Sequence, residues 1–210
     1  MKWDNSNLRQ QPAAAVRAVL QAQLASVAEH GHDPCTRAQA AAHEAGHVLV
    51  GYFCSEVING ARIWAQGGRW VGANNRDHEV YRRPEPEHVT DEPDRAFRCA
   101  LLNLAGFAGE IVAGLEHPSS SVDERMKAQA YAGIVAEVWG GAPQQVEAAV
   151  MALCLNAIKA NRLAFDTLRG HLYRTRRLTA AEALRMLRHV RQIELPSGPF
   201  SRPDAELLAA

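Results

Sequence analysis

Ala42-His43-Glu44-Ala45-Gly46-His47-Val48 is the stretch on which the reading of this chain turns. It carries H-E-x-x-H, two histidines four apart with a glutamate directly after the first. On an α-helix, positions i and i+4 share one face, so both imidazoles can bite one metal ion. The carboxylate of Glu44 then points toward a water held by that ion. With 9 His and 15 Glu in 210 residues, random placement gives roughly 0.03 such motifs, so the motif outweighs the alternative of a surface helix with incidental histidines. His43 and His47 are therefore expected as zinc ligands and Glu44 as the general base.

The flanking sequence supports a helix here. Thr36 followed by Gln39 reads as a capping box, and the helix is expected from about Arg37 to Phe53. Its first half is almost all alanine, the strongest helix former. Ala45 and Gly46 leave room for a neighbour to approach closely.

Outward from the motif, most of the chain reads as helical. Val16, Val19, Leu20, Leu24 and Val27 predict an amphipathic helix before the break at Gly31-His32-Asp33-Pro34. His30 and His32 flank that break and read as solvent-exposed. Val57 to about Tyr81 is the one β region expected, two strands about the Gly67-Gly68 turn. Arg82 to Pro93 reads as an exposed, proline-rich loop, with His78 and His88 in or near it and solvated.

Helices follow over 94–115, 122–139 and 144–169, with a short one after Gly170. A last helix opens at the Thr179–Glu182 capping box and reaches about Gln192. Val122, Met126, Tyr131, Ile134, Val135 and Val138 trace the expected buried face of the third; Leu163 is assigned to that of the fourth. The fold class is mainly α with a small β-sheet, α+β. The expected organisation is an N-terminal extension over 1–35, a metallopeptidase domain over 36–195 and a flexible tail over 196–210.

Bulk properties set limits. The formal net charge is zero, so no basic field argues for nucleic acid. Cys35, Cys54, Cys99 and Cys154 form no C-x-x-C pair, which argues against a structural zinc site and fits a reducing compartment. No run approaches the ~18 consecutive apolar residues of a membrane span. The start lacks a signal peptide's apolar core, so the expected location is cytoplasmic.

A catalytic zinc takes three protein ligands and a water. The longer H-E-x-x-H-x-x-G-x-x-H form is absent, because Phe53 stands six after His47. The third ligand must come from elsewhere, with Glu56, Glu79, Glu110, Asp123 and Glu124 as candidates. Asp123 and Glu124 are favoured, since a carboxylate in a helix's first turn keeps a defined position near supporting amides.

From Thr36 to about Arg188 the chain resembles the peptidase domain of the FtsH-type, ATP-dependent zinc metalloproteases. His43-Glu44-Ala45-Gly46-His47 looks like that family's H-E-A-G-H helix. Val57 to Gly72 is similar to its strand-turn-strand. Leu104 to Gly114 resembles its L-x-G-R-x-A-E-x-x-x-G helix, and Ser119 to Gly140 the S-x-x-D-x-x-x-A segment that supplies an aspartate ligand. Matching residue type and the preceding serine selects Asp123, which is preferred; a gapless match selects Glu124.

The resemblance implies a helical, zincin-like peptidase domain that uses Zn²⁺ to hydrolyse peptides or unfolded proteins. The family's ATPase motif G-x-x-x-x-G-K-[ST] and its membrane anchor are absent from the 210 residues, and the Pro-Arg of its glycine turn is altered. An ATPase acting in trans and a homo-oligomer both stay open as partners. The competing expectation is a catalytically inactive binding or regulatory module on the same fold. A metal-dependent hydrolase of a non-peptide substrate is a third.

Overall fold

Alanine and glycine dominate the helix Arg37–Phe53 (α1), and the structure shows why. Gln39 to Ala42, Glu44 to Gly51 and Phe53 are all buried, so neighbours surround the helix on nearly every side. A helix buried all round has no room for long side chains at its closest crossings. The computed structural model describes residues 35–56, 58–74, 84–116 and 120–190. The chain divides between Pro34 and Cys35, and the described residues all belong to the second unit. The helix expected from Pro12 to about His30, with His30, His32, His78, Glu79 and the tail from 196, lies outside them.

After α1 come strands Gly60–Gln66 (β1) and Arg69–Asn74 (β2), then helices Pro93–Ala113 (α2), Val122–Trp139 (α3), Pro143–Ala160 (α4) and Arg162–Thr175 (α5), strand Arg177–Thr179 (β3) and helix Ala180–Leu187 (α6). The architecture is mainly helical with one small antiparallel sheet of order β2-β1-β3, as expected. Gly67 and Gly68 turn the β1–β2 hairpin at φ +59° and +77°, the left-handed pair that matches strand twist.

α1 packs on α2, on α5 and on the sheet; α2 also packs on α3 and α4. The α1–α2 crossing is set by Gly46 and Gly109: a Cβ on Gly109 would stand 2.5 Å from Ala42 O and 3.1 Å from Gly46 Cα. The Arg37 guanidinium lies between the Trp70 and Tyr173 rings, 5.3 and 4.9 Å from their centroids. It thereby ties the start of α1 to β2 and α5. α2 is long and apolar enough to cross a membrane, but 72% of its apolar window is buried inside the fold. Its hydropathy is that of a core helix.

Several expectations are corrected. The single helix over 144–169 is two helices bent by 85° at Asn161. Asn161 turns the chain with its Nδ2 bonded to Ala157 O at 3.0 Å, and α5 then runs unbroken through Gly170 to Thr175. Leu163, at the outside of that bend, is 84% exposed. β3 adds a third strand on β1, through Gly60–Thr179 and two following pairs; three residues are too few to show a period. The stretch after 82 is not wholly exposed, because Val89 is buried behind the 3₁₀ turn Pro86–His88. On α3, Val138 is exposed, and Ala128, Ala132, Ala136 and Trp139 join Tyr131 and Val135 on the buried face.

The last helix stops at Leu187, short of the expected Gln192, and β1 begins at Gly60 where a strand was expected from Val57, a residue outside the described ones. α1 and α3 match the expected spans, and Gly114 closes α2 in the left-handed conformation at φ +66°. The Thr179–Glu182 capping box forms, with Thr179 N donating to Glu182 Oε2 at 2.8 Å and Glu182 N to Thr179 Oγ1 at 3.3 Å. At α1 only half a box forms. Gln39 N donates to Thr36 Oγ1 at 3.1 Å, while the Gln39 side chain turns to Glu110 at 3.0 Å. Cys54, Cys99 and Cys154 are buried free thiols and Cys35 is half-buried.

Candidate metal centre

The helical period of α1 places His43 and His47 on one face, with their Nε2 atoms 3.0 Å apart. Opposite stands Glu124, in the first turn of α3. Its Oε2 is 3.2 Å from His43 Nε2 and its Oε1 is 3.1 Å from His47 Nε2. Together these three residues offer ligand atoms that all lie within 4.8 Å of one another. The His47 side chain is almost fully buried at 3% exposure, while His43 at 19% and Glu124 at 32% open toward solvent. The cluster is thus held from within and reachable from one side.

Glu124, not Asp123, joins the histidine pair. Asp123 is exposed and is not part of the cluster. The preference for Asp123 by residue type is corrected: of the two acids, Glu124 is the one brought to the histidines. Adjacent helical positions differ by about 100° in direction, so only one of two neighbouring acids can face α1. Glu56 also stays outside the cluster, and His88 is exposed as expected.

The donor set fits a divalent ion of the zinc type. Ligands at ~2.0–2.1 Å in a tetrahedron stand roughly 3.3 Å apart; the two imidazole Nε2 atoms are 3.0 Å apart, and each meets a different oxygen of Glu124, at 3.1 and 3.2 Å. Two imidazoles and one carboxylate, with an open side, match a catalytic site in ligand type.

Glycines shape the surroundings. A Cβ on Gly106 of α2 would collide with the His43 ring, reaching within 2.6 Å of Nδ1, so α2 approaches the ligand at backbone distance. A Cβ on Gly72 of β2 would stand 2.5 Å from Glu44 Cγ and 2.7 Å from Cδ. The buried Glu44 carboxylate therefore lies against the bare backbone of β2. β2 is the edge of the described sheet, and Trp70 N–H, on the side away from β1, donates to Cys35 O at 2.8 Å. By antiparallel alternation, Gly72 and Asn74 direct their N–H and C=O groups to that same side.

Behind the histidines lies Glu110 of α2, 1% exposed. Its Oε1 accepts from His43 Nδ1 at 2.8 Å and Ser121 Oγ at 3.3 Å. Its Oε2 accepts from Gln39 Nε2 at 3.0 Å and Ser120 Oγ at 2.6 Å. Ser121 Oγ also lies 3.2 Å from His43 Nδ1. Burial disfavours ionised Glu110, but the bonds from His43, Ser120 and Gln39 outweigh it and hold its pKa below the usual value. Burial likewise opposes a charge on His43, yet the Glu110 and Glu124 carboxylates raise its pKa well above 6.5. For Glu124, burial is overcome by the two facing imidazoles, and its carboxyl sits far below the ordinary carboxylate range.

Gln39, Ser120, Ser121, Gly72 and Gly106 were not singled out as site residues by sequence reasoning, although Glu110 stood among the ligand candidates. The one available signal was the triple serine before α3, which reads equally well as capping. No protein-family model matches the chain, and no curated protein is significantly similar to it.

Proposed function

We propose that this chain is a zinc-dependent endopeptidase of the H-E-x-x-H type, with a zincin-like domain of FtsH type, acting on peptides or unfolded proteins. One observation carries the reading: two imidazole Nε2 atoms and one carboxylate converge at 3.0–3.2 Å, and the motif glutamate lies beside them against an edge strand.

His43, His47 and Glu124 would hold the ion. A bound zinc supplies a water of lowered pKa and a Lewis-acid contact for a carbonyl oxygen. Glu44 takes up the proton of the attacking water on its carboxylate and returns it to the leaving amine nitrogen. Its position in α1, one residue after His43, puts that carboxylate near enough for its charge to favour protonated His43. The outward N–H and C=O of Gly72 pair with an extended peptide by strand addition, which lays the scissile bond alongside Glu44. Trp70 cannot extend that ladder, because its N–H is engaged by Cys35 O.

The test is Glu44→Gln in the full chain. It should keep one metal per chain by elemental analysis and lose cleavage of an unfolded protein such as casein by at least 10²-fold. A Gln variant that cleaves as well as the unaltered chain overturns the assignment of the base. Stoichiometric metal with no hydrolysis of any peptide by the unaltered chain would favour the inactive binding module instead.

A further inference from the structure

We infer that Glu110 is a positioning residue that assembles the metal site from its two halves before an ion arrives. This rests on the metal-site reading above. The ligands come from separate elements: His43 and His47 from α1, Glu124 from the first turn of α3. The four donors to Glu110 are split the same way. Gln39 and His43 lie on α1; Ser120 and Ser121 lead directly into α3. One carboxylate of a third helix therefore ties both ligand-bearing elements together.

The chemistry at each end is specific. A carboxylate only accepts, so the 2.8 Å contact with His43 Nδ1 requires a proton on that nitrogen. A neutral His43 then has its lone pair on Nε2, the atom that faces His47 and Glu124. At the other end, Ser121 adopts φ +56°, a conformation that serine seldom takes. Its hydroxyl reaches both Glu110 and His43, which offsets that cost and sets where α3 starts. Glu124 stands three residues further on. A plain buried acid would need donors, but it would not need them from both halves of one cluster.

The experiment measures Zn²⁺ affinity of the purified full chain by competition with a chromophoric chelator, for the unaltered protein and for Glu110→Gln, Ser121→Ala and the double variant. Melting in excess EDTA is followed in parallel. Glu110→Gln should weaken zinc binding by about 10–100-fold in protein that is folded by circular dichroism. Ser121→Ala should weaken it by a smaller factor. The double variant should lose much less than the product of the two, because both act through one carboxylate.

Folded Glu110→Gln that binds zinc within twofold of the unaltered chain overturns the inference. If Glu110→Gln does not fold, Ser121→Ala decides: weakened zinc binding supports the inference, and unaltered binding overturns it. An unaltered chain that binds no zinc overturns the metal-site reading and this inference with it. That outcome is distinct from one in which all variants bind equally.

Discussion

His43 stands between two carboxylates, Glu110 at 2.8 Å from Nδ1 and Glu124 at 3.2 Å from Nε2, so a proton would compete with the proposed metal ion for it. The sign of the pH dependence follows. Without metal, the raised pKa of His43 contributes stability that is complete below its ordinary 6.5 and lost as pH rises through the raised value. The depressed pKa of Glu124 contributes above its ordinary 4.5 and is lost as pH falls through the lowered value. Between 4.5 and 6.5 both contributions are present. Metal requires the neutral ring, so stabilisation by zinc should run the other way. The rise in Tm on adding zinc should grow from pH 6 to pH 8, while the EDTA-treated protein gains nothing from the same change through this cluster. A zinc increment that does not vary with pH would remove His43 from the ligand set.

On the proposed function, two glycines at this scale would separate metal binding from catalysis. Gly72→Ala drives a Cβ into the Glu44 carboxylate and not into a ligand; Gly106→Ala drives one into the His43 ring. Since displacement of a catalytic group by about 1 Å costs on the order of 10² in rate, Gly72→Ala should lower kcat by about that factor with metal content unchanged. Gly106→Ala should lower metal affinity itself. Equal metal loss in both variants, read by elemental analysis, would contradict this division.

At the scale of elements, the close crossing of α1 and α2 sets the position of the centre. α1 carries both histidines and α2 brings Gly106 and Glu110 up to them, and the pair meet where Gly109 has only backbone opposite it. A methyl there cannot be absorbed by a flexible side chain. Gly109→Ala should destabilise the fold by about 1–3 kcal/mol, seen as a lower urea midpoint, and should weaken zinc binding as the helices move apart. An unchanged midpoint would mean the crossing relaxes freely.

The elements were unevenly legible. α1 and α3 could be bounded because Thr36, the Gly140-Gly141 pair and the apolar period all agree. The bend at Asn161 could not, because the apolar positions on both sides keep a helical spacing and no proline or glycine marks the break. β3 was hidden by its length: it is a strand only because β1 is there to pair with it.

For the whole molecule, the ion is expected to act as a cross-link. It would join α1 to α3, both of which also pack on α2. Ligand present at 1,000 times its Kd adds about 4 kcal/mol to the folded state. Saturating zinc should therefore raise Tm by several degrees, and EDTA should reverse it. Absence of any shift, with zinc shown to be bound, would mean that the unfolded chain binds it equally well. The same packing explains α2, whose apolar length would suit a membrane but whose surface is mostly spent on α1, α3 and α4.

Sequence alone determined what is local. An i, i+4 histidine pair with its glutamate needs nothing beyond the helical period, and paired glycines at a hairpin need nothing beyond their own backbone freedom. Tertiary structure decided what depends on which faces meet. Asp123 and Glu124 are neighbours of like chemistry, and the rotation of α3 against α2 alone turns Glu124 to the histidines and Asp123 to water. Glu110 found its role the same way, since Gln39 lies 71 residues from it in the chain and reaches it only once α1 and α2 have packed.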